Sequence, residues 1–244
     1  MDISQITNFL KDNSQIIELS LMITFIIALI VLIFFAWRVE NKIENKPKKI
    51  KKMVTISILA AVSVILYYFI KFPLSWLFPF IPSFLDIHFS NVPIYIGGYL
   101  FGPISGSIIA IIRFIVKLPG SSTLGTGELA DLLIGLSTVL VSSIMYHKHK
   151  TKKMAMYSSI TIMVVWIFVA TLSNWLFILP FYIELYSFEG VFGMLSVIPG
   201  ITVDNYMGLY LLYAVIPFNI IISGLVSALT FILYKRLSIV YKRI

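Results

Sequence analysis

The 244 residues are 59% hydrophobic and 12% charged, carry a net charge of +8 and include no cysteine. Long apolar runs joined by short polar stretches exclude a soluble globular domain, and the lack of cysteine excludes a disulfide framework, a thiolate metal site and a Cys nucleophile. The runs are continuous over about twenty residues rather than alternating, which excludes a transmembrane barrel and sets the fold class as all-α integral membrane. The cations sit in the joints and not on one face of a globular domain, so they report topology in a lipid bilayer and argue against nucleic acid as a partner.

In chain order, the first apolar run spans Ile16 to Trp37. Acidic Asp2, Asp12 and Glu18 outweigh Lys11 in front of it, while Arg38, Lys42, Lys46, Lys48, Lys49, Lys51 and Lys52 follow. That is the reverse of a signal peptide, and it predicts a retained helix with its N-terminus outside. A second helix is predicted from Met53 to Phe72, then an outer loop from Pro73 to Ser90 rich in Pro and rings, as suits a membrane interface. Asn91 to Lys117 reads as two helices with a tight hairpin at Phe101-Gly102-Pro103-Ile104-Ser105-Gly106, where proline and glycine interrupt the ladder. A loop from Leu118 to Thr126 and a helix from Gly127 to Tyr146 lead to the basic run 147–153. Met154 to Pro180 then crosses outward, Phe181 to Tyr206 forms a long outer loop, and Met207 to Tyr234 returns inward before Lys235 and Arg236. This threading places fifteen of the nineteen Lys and Arg residues on the inner side. It divides the chain into an extra N-terminal helix with a basic linker, residues 1–52, and a six-helix core, residues 53–244.

Ionisable groups in a membrane span are costly unless they face a cavity or a partner. Arg113 and Lys117 lie four residues apart near the outer end of one predicted helix, and Glu128 and Asp131 open the next, so two cations and two anions converge at the outer mouth. Glu128 and Asp131 also suit a helix N-terminus and Lys117 suits a snorkelling position, whereas the deeper Arg113 needs a carboxylate or carbonyl, for which Glu128 is the expected partner. Asn174, followed by Trp175, and Asn219, preceded by Phe218, lie within the last two helices. An amide there must point inward, either into an interhelical bond or toward a flat ligand lined by the adjacent rings. Ser57 and Ala61 form a small-xxx-small pair that allows a helix to approach closely. No H-E-x-x-H, G-x-S-x-G or P-loop pattern occurs, so no catalytic residue, metal or cofactor is expected, and any energised role needs partners. Two other readings stay open on the residues alone. One is a small intramembrane transferase or isomerase built on Arg113 and Glu128; the other is an assembly protein whose polar residues only bond one another.

The segments Asp86-Ile87-His88-Phe89-Ser90-Asn91-Val92-Pro93 and Gly97-Gly98-Tyr99-Leu100-Phe101-Gly102-Pro103 resemble the substrate-binding S components of energy-coupling factor (ECF) vitamin transporters, closest to the riboflavin type. Gly127-Glu128-Leu129-Ala130, Ser173-Asn174-Trp175 with Leu179-Pro180, and Pro217-Phe218-Asn219 with Gly224 continue the likeness in the same order over residues 53 to 236. The resemblance implies a subunit that binds riboflavin or a related vitamin from outside. It also implies docking on a membrane coupling subunit with two ATPase subunits, Ser57 and Ala61 facing that coupling subunit. The candidate ligand-binding residues are Asn174, Asn219, Trp175, Phe218, Arg113, Glu128, Asp131, Lys117 and Tyr95. The chain departs from the riboflavin-type pattern at Asn91 (usually Asp), Arg113 and Phe114 (Lys and Asn), Asp131 (Asn) and Ile222 (Lys), the last removing a cation assigned to the ligand. The helix at 16–37 lies outside the usual six-helix pattern.

Overall fold

The structure is a computed structural model that describes residues 14–43, 48–121 and 123–243, with side chains from Ile16 to Arg236. The expectations that involve Asp2, Lys11, Asp12 and Lys46 lie outside the described residues. The helices are α1 (Ser14–Asn41), α2 (Lys49–Phe69), α3 (Asn91–Phe101), α4 (Pro103–Lys117), α5 (Thr126–Lys148), α6 (Lys152–Ser173), α7 (Leu179–Tyr186), α8 (Phe188–Leu195), α9 (Tyr206–Leu209) and α10 (Ile216–Arg243). Among the described residues six helical segments are long and apolar enough to cross a membrane.

The remaining core helix, α3, has 11 residues, about 16 Å of rise against a hydrocarbon core of about 30 Å. It is buried along nearly its whole length, from Asn91 to Tyr99, so neighbouring helices rather than lipid surround it. Its hairpin with α4 is tight because both helices offer glycine at the contact: a Cβ on Gly106 would lie 3.0 Å from the Gly98 Cα and 2.9 Å from the Ile94 carbonyl oxygen. The main core, with Ile94, Ile109, Ala110, Val139, Trp166 and Val226 among its most buried members, fills the space between α2, α3, α4, α5, α6 and α10.

Two departures from the expected threading matter for the site. The segment after α2 carries a two-stranded antiparallel ribbon, β1 (Lys71–Pro73) with β2 (Asp86–His88), in which Lys71 pairs with His88 and Pro73 with Asp86. The predicted outer loop at Phe181 to Tyr206 is largely helical, because α6 does not stop at Pro180. It widens into a π-turn over Asn174–Ile178, with the Leu179 N–H bonded to the Asn174 carbonyl, and resumes as α7. A second π-turn, Tyr210–Val215, precedes Pro217, with the Ile216 N–H bonded to the Leu211 carbonyl. An i→i−5 bond inserts one residue into the turn and relieves the clash of a proline ring with the carbonyl four residues back, so both helices continue through proline.

A candidate ligand cavity between the ribbon and the two wide turns

A cavity of ≈ 310 Å³ opens at the end of the bundle that holds the ribbon, within the size range of small-molecule sites. Alternation along the ribbon places Lys71, Asp86 and His88 on one face, and all three line the cavity, while Ile87 points the other way into the core. Lys71 Nζ lies 2.8 Å from Asp86 Oδ2. The opposite wall comes from the two wide turns and their flanking helices.

On that wall the two asparagines are bound in matching fashion. Asn174 Nδ2 donates to the Ala170 carbonyl at 2.9 Å, and its Oδ1 accepts from Tyr210 Oη at 2.7 Å. Asn219 Nδ2 donates to the Val215 carbonyl at 2.7 Å, and its Oδ1 accepts from Trp166 Nε1 at 2.7 Å. The pairs connect the same two antiparallel segments reciprocally: α6 supplies Trp166 and leads to Asn174, and the last segment supplies Tyr210 and then Asn219. A carboxamide carries two N–H donors and two acceptor lone pairs, so each amide keeps one donor and one acceptor beyond these bonds. Both amides, Tyr210, Trp166 and Phe218 line the cavity. Phe84 adds a ring 5.8 Å from Tyr182 and 6.3 Å from Tyr210, centroid to centroid.

The ionisable residues at the mouth pair differently from the sequence expectation. Arg113 is 1% exposed and does not reach Glu128. Its guanidinium donates to Ser90 Oγ at 2.6 Å, Asn91 Oδ1 at 2.9 Å and the Asp131 carbonyl at 3.0 Å, locking α3, α4 and α5 together. Lys117 takes Glu128 instead, with Nζ 3.8 Å from Oε1 and over the Tyr68 ring at 4.3 Å. Glu128 Oε2 accepts from Ser121 Oγ at 2.6 Å and Thr123 Oγ1 at 3.0 Å. The Asp131 carboxylate meets His88 Nε2 at 3.3 Å, and His88 Nδ1 lies 3.0 Å from Ser90 Oγ. Ser90 Oγ already accepts from Arg113, so its own proton is free to go to His88 Nδ1, which leaves the Nε2 proton to face Asp131.

Of the residues singled out from sequence, Asn174, Asn219, Phe218, Glu128, Asp131 and Lys117 line the cavity. Trp175, one helical step of about 100° beyond Asn174, is half-buried and turned away from it. Arg113 stands behind the wall with its donors engaged by protein, and Tyr95 is fully buried with its hydroxyl 2.8 Å from Thr138 Oγ1; neither lines the cavity. Sequence reasoning missed Tyr67, Lys71, Asp86, His88, Trp166 and Tyr210, which do. For Trp166 and Tyr210 a signal existed, since an aromatic with a polar tip inside an apolar run needs a hydrogen-bond partner.

A helical membrane bundle with a ring-lined, amide-bearing cavity near the end of its spans has the form of a ligand-binding membrane subunit. The family model for the substrate-specific component of ECF transporters matches residues 51–234, and the chain belongs to that family. Among its relatives, the riboflavin transporter RibU of Staphylococcus aureus (strain TCH60) is 30% identical over 194 residues, covering 80% of this chain and 94% of that protein. The riboflavin transporter FmnP of Bacillus subtilis (strain 168) is 27% identical over 137 residues, covering 55% of this chain and 70% of that protein. A solved S component of a bacterial ECF transporter superposes with a TM-score of 0.59 at 30% identity, covering 78% of this chain and 97% of the other. The chain is thus a multi-pass membrane transport subunit, with α1 added in front of the family's core.

Proposed function

We propose that this chain captures riboflavin or a closely related uncharged flavin from outside and delivers it through a membrane coupling subunit driven by two ATPase subunits. The observation that carries the reading is the pair of amide–aromatic couples on the cavity wall: two amides with donor and acceptor capacity to spare, set among rings, suit the edge and faces of a flat heteroaromatic ligand. The charges support an uncharged ligand. Each lysine that lines the cavity has a carboxylate beside it, Lys71 with Asp86 and Lys117 with Glu128, and the Asp131 carboxylate faces His88, so an anionic substituent would have to compete with a resident carboxylate. The names of the relatives point the same way.

Ser57 and Ala61 lie on the exposed face of α2 beside exposed Val54, Ile58, Val62 and Ile65. We assign this stripe to the coupling subunit, because small side chains in an apolar face permit close helix approach. We take residues 38–52, 147–153 and 235–244 to lie inside and the N-terminus outside, a reading supported by the Lys and Arg gathered in those joints.

A second reading, an S component for a different vitamin or precursor, is favoured by Ile222. It lines the cavity and is 1% exposed, at a position where the riboflavin-type pattern carries Lys. Purification from cells in detergent, with an absorption spectrum and mass spectrometry of released small molecules, separates the two. A yellow chromophore and saturable riboflavin binding support the first reading; a different co-purifying vitamin, with no response to added riboflavin, overturns it.

A further inference from the structure

The helix α1 precedes the residues that match the family. It is apolar on all sides, so its composition favours no face over another. In the structure it nevertheless has one: Met22, Phe25, Leu29, Leu32 and Val39 are half-buried and Ala36 is buried, while their neighbours Ile26, Ile30, Phe34 and Trp37 are exposed. Spacings alternating between three and four residues mark a heptad seam, the pattern of a helix packed lengthwise on others. The seam lies against α4 and α5. Near one end the Phe25 ring sits 6.3 Å from Phe177, and near the other Ala36 is completely buried.

The seam ends on Glu40. Its Oε2 accepts the Ser105 N–H at 3.1 Å, and its Oε1 accepts Ser105 Oγ at 2.7 Å and Lys52 Nζ at 2.8 Å. Helix α4 begins at Pro103 after Gly102, whose φ is 117°, and has no side-chain cap of its own. Ser105 is its third residue, so its N–H is one that the helix cannot satisfy internally, and a carboxylate there also meets the positive end of the helix dipole. The fit is close: a Cβ on Gly102 would lie 2.8 Å from Glu40 Cγ.

We propose that the N-terminal extension is a resident seventh helix of the binding subunit. It docks on the α4–α5 flank by this heptad seam and supplies, through Glu40, the N-terminal cap that α4 lacks. It thereby braces the end of α4 opposite the cavity, the same helix that carries Arg113 and Lys117 at its other end, and it closes that flank to partner proteins. Glu40 acts as a positioning residue and touches no ligand. This inference stands on the docking geometry and is independent of which vitamin the cavity holds.

The chain has no cysteine, so Ala36→Cys is a single reporter of the seam. In detergent, thiol labelling of A36C is expected to be slow in the otherwise unaltered chain. Adding Glu40→Ala should speed it about tenfold, the ratio corresponding to loss of one helix cap; E40Q, which keeps an oxygen for Ser105, should fall between. Ser105→Ala should speed labelling when Glu40 is present and change little once E40A is in place, which a general loosening of the bundle would not reproduce. Fast labelling of A36C with Glu40 intact, or rates unmoved by both E40A and S105A, overturns the proposal. Should E40A fail to fold, E40Q takes its place: S105A should speed labelling with Glu40 intact and by less in the E40Q background, and an equal effect in both overturns the proposal.

Discussion

Replacing Asn219 by Ala tests whether the amide serves the ligand or only the fold. In the apo protein the substitution orphans one buried donor, the Trp166 indole N–H, now 2.7 Å from the amide oxygen, and removes the side-chain bond at 2.7 Å to the Val215 carbonyl. Leaving a buried group unpaired costs about 1–3 kcal/mol, so the apo melting temperature should fall. If the free N–H and lone pair of Asn219 also bond the ligand, affinity should drop by roughly ten- to a hundredfold on top of that. Trp166→Phe separates the two effects. It keeps a ring in the cavity wall and removes only the donor to Asn219 Oδ1, so it should cost stability with little loss of affinity. Calorimetric titration of each variant with riboflavin, alongside apo melting, reads both quantities. Unchanged affinity in N219A, or equal affinity losses in N219A and W166F, would falsify the assignment of Asn219 to the ligand and leave it as a bracket between helices.

Two further outcomes follow from the exposed surfaces. Bulky replacements at Ser57 and Ala61 should abolish uptake in cells while riboflavin binding to the purified chain survives, because the stripe is remote from the cavity; a joint loss of both would return the stripe to the fold. A lone cysteine at Lys49 should resist a membrane-impermeant thiol reagent applied to intact cells, and its labelling would reverse the threading.

Much of the fold could be read from the sequence because burial in lipid is a coarse constraint: a span must be long, continuous and apolar, and the runs from Ile16 onward meet it. The break at Gly102-Pro103 was equally plain, since proline and glycine act locally. What escaped reading depends on pairing between distant segments. The ribbon at Lys71–Pro73 and Asp86–His88 is three residues a side, too short for alternation to stand out, and with it went Lys71, Asp86 and His88 as cavity residues. The face of α1 was hidden for a different reason, because a helix apolar all round carries no stripe. Sequence alone gives Arg113 a need for a partner and offers Glu128, yet the actual choice rests on which side chains two neighbouring helices and a ribbon present. That is why Arg113 took Ser90, Asn91 and a backbone oxygen while Lys117 took Glu128.

The two prolines show how a local rule can mislead and still point to function. A proline inside a helix usually ends or kinks it by the clash of its ring; the sequence reading ends a span at Pro180 and runs Met207 to Tyr234 straight through Pro217. Each instead follows an i→i−5 turn that absorbs the clash, and such wide turns change which side chains face inward along the next stretch of helix. Asn174 opens one wide turn and Tyr210 opens the other, and these two are hydrogen-bonded to each other at the cavity wall. Asn219 follows two residues after Pro217 and reaches back to Trp166 on the straight part of α6. A regular helix through either segment would rotate everything beyond the turn by about 100° for the residue not inserted, carrying Tyr182 on one side and Phe218 with Asn219 on the other out of their present positions around the cavity. The prolines therefore mark the site indirectly: they require the wide turns, and the wide turns aim the amides and rings.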